Sequence, residues 1–129
     1  MKLVIGGHAQ GKLQAVLRNE GNDQVVYNGI IPDEKKIQKS DNKCIILNHF
    51  HLWMKEQILK NEQPEEIIID FVNKHNNCII ISDEVGNGIV PIDIIEREYR
   101  ERTGRILVTL AGMADEVIRI ICGIEQKIK

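Results

Sequence analysis

Lys2-Leu3-Val4-Ile5-Gly6-Gly7-His8-Ala9-Gln10-Gly11-Lys12-Leu13 is the stretch on which the fold turns. Lys2 to Ile5 is a short apolar run stopped by paired glycines, the pattern of a buried strand entering a turn. A helical stretch follows, from about Gly11 to Asn19, and ends at Glu20-Gly21-Asn22. Between strand and helix stands G-x-x-x-x-G-K. Such a turn needs glycine because main-chain N–H groups must curl round an anion and approach it closely. The helix N-terminus adds partial positive charge, and Lys12 would reach the β- and γ-phosphates of a nucleotide. Gly6, Gly7, His8, Ala9, Gln10, Gly11, Lys12 and Leu13 are therefore the expected nucleotide-binding residues. The position after the lysine calls for Ser or Thr to hold Mg²⁺, and Leu13 has no ligating atom. The same residues also suit a plain strand–helix turn with a solvated lysine.

Outward from this stretch the chain repeats the alternation. Gln24 to Tyr27, Cys44 to Leu47, Cys78 to Ile81 and Glu116 to Cys122 read as further strands. His49 to Leu59 reads as helix, packing through Trp53 and Met54. Pro64-Glu65-Glu66 opens another, since proline suits the first turn and acids favour the positive end of the dipole. Ile67, Ile68, Phe71 and Val72 share its apolar face. The longest helix runs from after Pro91 to about Met113, with Ile92, Ile95, Tyr99, Ile106, Leu110 and Met113 spaced by three and four and one slip near Thr103-Gly104. Asn28 to Lys43 is a polar connection with one helical turn around Asp33 to Ile37. Ile124 to Lys129 is a tail or an edge strand.

Unalternating aliphatic strands between helices predict an α/β domain spanning residues 1–129, with a mostly parallel five-stranded sheet covered on both faces. Ligands of such sheets sit at the carboxyl ends of the strands. Gly6 to Lys12, Asn48 to His51 and Ser82 to Pro91 are expected to converge there.

Composition narrows the class. The chain is 43% hydrophobic and 28% charged, which suits a globular core. Aromatics are only 4%, so that core is aliphatic. A net charge of −2 gives no basic field and argues against nonspecific nucleic-acid binding. Cys44, Cys78 and Cys122 lie far apart beside aliphatic runs and read as reduced, buried thiols of a cytoplasmic protein. No apolar run is long enough to span a membrane, and Gly6-Gly7-His8 interrupts the apolar start that a signal peptide would need.

Ser82-Asp83-Glu84-Val85-Gly86-Asn87-Gly88-Ile89-Val90-Pro91 resembles the N-E-V-G-x-G-I-V-P signature of the adenosylcobinamide kinase/adenosylcobinamide-phosphate guanylyltransferase family. Tyr99-Arg100-Glu101 with Gly104-Arg105 is similar to its F-R-D-x-x-G-R, and Ala114-Asp115-Glu116-Val117 to its A-D-E-V. Gly123-Ile124 and Lys127-Ile128-Lys129 resemble its ending, and Gly6-Gly7 resembles the start of its G-G-x-x-S-G-K-S loop. The resemblance implies a P-loop, RecA-like three-layer sandwich, usually a homotrimer. It also implies GTP or ATP as nucleotide and cobinamide as substrate. Such enzymes phosphorylate cobinamide and then transfer GMP through a guanylylated histidine, late in cobalamin assembly. Carried onto this chain, Lys12 and Glu84 are the catalytic candidates, and Asp83, Val85, Gly86, Gly88 and Pro91 form the substrate loop.

The chain departs from the family at several positions. Leu13 replaces a serine, and Gln10 replaces the loop's earlier serine. Asn48 stands where the third strand should end in an acid. Both expected contributors to the Mg²⁺ environment are thus lost, and no metal-ligating set is assigned. Glu84 or Asp83 is left to recruit Mg²⁺, which often takes only one or two protein ligands. The segment that should carry the guanylylated histidine is short and has none, as expected of a shortened relative. His8, His49 and His51 are the substitutes within reach, although His49 and His51 read more simply as partly buried polar residues at a helix start. His75 reads as a solvated turn residue. Three functions fit: a binding module for nucleotide, anion or corrinoid that has lost catalysis, a weak kinase, and a scaffold assembled through the long helix at Ile106-Leu107-Val108.

Overall fold

The computed structural model describes residues 1–39, 42–86, 88–89 and 92–129. In chain order the elements are β1 (Lys2–Gly6), α1 (Lys12–Asn19), β2 (Gln24–Asn28), α2 (Glu34–Gln38), β3 (Cys44–Asn48), α3 (Phe50–Leu59), α4 (Pro64–Lys74), β4 (Cys78–Asp83), α5 (Ile94–Met113), β5 (Glu116–Ile121) and β6 (Ile124–Lys127). The sheet has six strands in the order β2-β3-β4-β1-β5-β6. Its first five pair in parallel, and β6 runs antiparallel to β5.

The sixth strand corrects the five-stranded expectation. Cys122 and Gly123 both have positive φ, 51° and 75°. Two such residues make the kind of turn that joins the strands of a tight hairpin. Ile124-Glu125-Gln126-Lys127 is exposed along its whole length, so no buried apolar pattern marks it in the sequence.

Register decides what each face buries. Leu3 stands beside Ile80 and Val117, and Val4 beside Ile81 and Ile118. The first row joins the larger core, with Phe50, Trp53 and Met54 of α3, Ile68, Phe71 and Val72 of α4, and Ile106 and Leu110 of α5. The second joins a smaller core under α1, with Ala15 and Val16. Helices on both faces of one sheet give the three expected layers.

Helix starts follow their caps. The Asp93 carboxylate accepts from Ile95 N at 2.8 Å and Glu96 N at 3.3 Å, fixing the start of α5. Asp33 does the same for α2 through Lys36 N at 2.9 Å. The buried line of α5 is Tyr99, Thr103, Ile106 and Leu110. Thr103 thus fills the apparent slip in the spacing, while Ile92, Ile95 and Met113 are exposed. On α4 Ile67 is exposed and its three partners carry the apolar face. Arg102 of α5 clasps Glu65 of α4 through two bonds, at 2.7 and 2.8 Å.

Two further expectations change. Cys44 and Cys78 are buried, and burial pushes the Cys78 thiol up to about 11. Cys122 is exposed because it forms the hairpin turn. His75 is not a free turn residue: its ring lies 4.8 Å from that of Phe71, one helical turn earlier. Among the described residues no helix is long and apolar enough to cross a membrane.

Candidate functional site

Parallel strands end together, and their register brings Gly6 beside Asp83 and Asn28 beside Asn48. Gly6 must be glycine, since a Cβ there would stand 2.5 Å from the Ile120 carbonyl oxygen of β5. The loop that follows turns through Ala9 (φ 54°) and Gly11 (φ 83°). The left-handed region favours glycine at the second of these.

The loop leans on the β5–β6 turn. Cys122 N donates to Gln10 Oε1 at 2.7 Å, and Gly123 N donates to the Gln10 carbonyl at 2.8 Å. A Cβ on Gly11 would lie 3.6 Å from Gly123 Cα, so the two turns touch. Asn19, at the end of α1, also bonds Glu125 of β6. Among the described residues, no well-aligned hydrogen bond is donated by the main-chain amides of residues 7 to 12. These donors are left for a ligand or for water.

Lys12 is buried, 8% exposed. Its Nζ donates to the Gly7 carbonyl at 2.6 Å and pairs with Asp83 Oδ1 at 2.6 Å. The second oxygen of Asp83 lies 3.4 Å from His8 Nδ1 and 3.4 Å from His51 Nε2. The Asp83 main-chain N–H donates to His51 Nδ1 at 3.0 Å, so the neutral imidazole carries its proton on Nε2, toward the carboxylate. Burial lowers the His51 pKa, against the pull of Asp83 and with the help of His49, Lys12 and His8. At Asp83, burial pushes upward but the Lys12 hydrogen bond and the charges of His51 and Lys12 outweigh it and hold the carboxyl below its ordinary value.

These groups surround a cavity of about 210 Å³ lined by His8, Gln10, Lys12, Asn48, His51 and Asp83, among others. Its volume and donors suit phosphate groups rather than a whole nucleotide. His49 lines its rim, exposed and in the left-handed region (φ 57°), with its ring 5.9 Å from that of His51.

Glu84 goes elsewhere. Its N–H bonds the Gly6 carbonyl at 2.8 Å, so it sits at the same sheet edge, but its carboxylate is clasped by Arg119 at 2.7 and 3.0 Å. Glu84 and Val85 line a separate apolar groove with Leu107 and Val108 of α5. Gly86 and Gly88 have positive φ, 99° and 105°. Pro91 and Asn87 lie outside the described residues.

A divalent metal fits this donor set poorly. Asn48, which donates its amide N–H to Asn28 Oδ1 at 2.8 Å, offers only a neutral amide oxygen in place of a carboxylate. Leu13 has nothing to offer. Among the described residues Asp83 is the one carboxylate lining the cavity, and one of its oxygens holds Lys12. Among them, too, no group of three His, Cys, Asp or Glu side chains is arranged to hold a metal ion.

Three features escaped the sequence reading. The Lys12–Asp83 pair joins positions 71 apart in sequence, and no local pattern announces it. His51 is buried at a helix start as expected, but its contact with Asp83 was not expected. The Gln10 contact with Cys122 and Gly123 joins the first loop to the β5–β6 turn, and no local pattern pairs residues so far apart.

Comparison with known proteins adds the lineage. The Bifunctional adenosylcobalamin biosynthesis protein CobU of Salmonella typhimurium is 43% identical over 51 residues, covering 40% of this chain and 28% of that protein. The protein of the same name from Escherichia coli K12 is 41% identical over 51 residues, with the same coverage. The matched segment thus spans little more than a quarter of either relative. The sequence profile described as cobinamide kinase / cobinamide phosphate guanyltransferase (CobU) matches residues 18–128, starting after the glycine-containing loop that ends at Lys12. That match takes in most of the chain, and it continues the signatures at Ser82–Pro91 and Ala114–Val117 on the fold described above: the chain belongs to the CobU family.

Proposed function

We propose that this chain is a phosphate-binding member of its family, serving adenosylcobalamin biosynthesis by holding the phosphates of GTP or ATP without a tightly bound divalent metal. The loop amides of residues 7 to 12 and the Lys12 ammonium supply the charge-assisted hydrogen bonds. The observation that carries this reading is Lys12, buried at the carboxyl edge of the sheet and turned onto the loop it would share with a phosphate. Cobinamide is the second ligand that family membership suggests. Assembly with further copies of the chain, a trimer by family resemblance, would use the exposed Val108 on α5.

Phosphoryl transfer is the second reading, and one observation favours it. Asp83 puts a carboxylate at the mouth of the cavity, where it could accept the proton of an attacking hydroxyl. Calorimetric titration of GTP and ATP, with Mg²⁺ and with EDTA, separates the two. Binding that survives EDTA supports the phosphate module. Binding that needs Mg²⁺, with turnover of cobinamide, supports the kinase. Absence of binding under both conditions overturns both.

A further inference from the structure

The Lys12–Asp83 pair has a consequence for which anions the cavity accepts. Lys12 is the cation that lines the cavity, and a carboxylate already sits on it at 2.6 Å. Asp83 is fixed from several sides: by Lys12 of α1, by His8 of the loop, and by His51 of α3, which also takes its N–H. Tyr99 of α5 feels its charge as well, and His49 stands behind His51. With Lys12 and Asp83 opposed and His51 kept neutral by burial, the site holds little net positive charge. An incoming phosphate must either share Lys12 with a fixed negative group or take Lys12 from it.

We propose that Asp83 is a built-in counter-ion that competes with the ligand's phosphate for Lys12 and so sets the charge selectivity of the cavity. It lowers affinity most for highly charged, metal-free anions. This inference rests on the phosphate reading of the loop and adds what limits its affinity. Two charges this close in a partly desolvated site interact strongly, so removing one is a large change for the group left behind. A truly structural acid would behave differently, because its loss would loosen Lys12 and weaken binding.

The test is calorimetric binding of inorganic pyrophosphate in EDTA to the full chain and to Asp83→Asn, which keeps the shape and removes the charge. The variant should bind at least about tenfold tighter, and Asp83→Ala should shift the same way. The gap between wild type and Asp83→Asn should narrow as salt is raised. Equal or weaker binding by Asp83→Asn overturns the proposal while leaving the phosphate reading intact. Tighter binding by Asn but not Ala also overturns it, because the amide rather than the lost charge would then be acting. No pyrophosphate binding by wild type or variants overturns the phosphate reading and this proposal with it. A measurement on the wild-type chain guards against a variant that fails to fold. The ¹³C shift of the Asp83 carboxyl should move on saturation with pyrophosphate as Lys12 changes partner, and a static shift overturns the proposal.

Discussion

Asp83 and Glu84 are neighbours in sequence, yet they end in two ion pairs of different character. Asp83, the last residue of β4, turns toward α1 and meets a buried lysine and two histidines around an open cavity. Glu84 turns toward β5 and meets Arg119, whose side chain is 42% exposed, beside an apolar groove. The first acid sits among groups that a ligand can rearrange. The second joins the edge of β5 to the turn after β4 and lines the apolar groove rather than the cavity around Lys12. The family resemblance singles out Glu84 as the catalytic candidate and leaves Asp83 to the substrate loop. Position relative to Lys12 separates them.

The strongest way to break this contrast is Lys12→Ala. Phosphate affinity should fall about a hundredfold, read by calorimetry, since charge-assisted bonds to the anion are lost. The same change leaves the partly buried Asp83 without its cation and should cost about 1 to 2 kcal/mol in urea unfolding. Adding Asp83→Asn should restore much of that stability without restoring binding. If single and double variants unfold alike, the pair is weaker than its geometry implies.

A smaller effect is expected at Gln10, whose carbonyl and side chain brace the loop against Cys122 and Gly123. Gln10→Ala should weaken phosphate binding about fivefold by loosening donors that are otherwise held in place. An unchanged affinity would mean that the loop keeps its shape without the hairpin.

Acid should sharpen the same comparison. The His51 pKa lies below its ordinary value in the fold, so the unfolded chain takes up its proton first as pH falls. The stability contributed by neutral His51 is complete above the ordinary imidazole pKa of about 6.5 and declines as pH drops through it. The depressed Asp83 pKa acts in the same direction at lower pH, its contribution being lost as pH falls through the folded value. The melting midpoint should therefore drop between about pH 7 and pH 5. His51→Gln, which can still accept the Asp83 N–H, should flatten that slope. A wild-type profile that is already flat would argue against the buried neutral imidazole.

The smallest effect belongs to the other acid. Glu84→Gln should leave pyrophosphate affinity within about twofold, because its partner is Arg119 and not the phosphate donors. It should lower the melting midpoint slightly by loosening the turn from β5. A large loss of binding would return Glu84 to the reacting centre and erase the contrast.

Much of the architecture was legible in the chain. Unbroken aliphatic runs such as Cys44-Ile45-Ile46-Leu47 and Cys78-Ile79-Ile80-Ile81 can be buried only when both faces of a sheet are covered, and this follows from composition and order. The strand–glycine–lysine stretch at Lys2–Lys12 placed the loop, and Pro64-Glu65-Glu66 marked the start of α4 by local chemistry. The edge strand β6 was one of two readings of Ile124 to Lys129 and the tertiary structure chose it; the exposed thiol of Cys122 and the burial of Thr103 were not legible. Each depends on what lies opposite in space, and no short window of sequence contains that.

Residue order and type fixed the alternation of strands and helices, the family, the missing ligand oxygen at Leu13 and the missing carboxylate at Asn48, since these follow from side-chain chemistry alone. The tertiary structure alone decided which acid faces Lys12. Adjacent residues at a strand end point to opposite sides. Which side holds the lysine depends on β1 lying between β4 and β5 with α1 crossing one face, an arrangement that forms only when distant segments pack together.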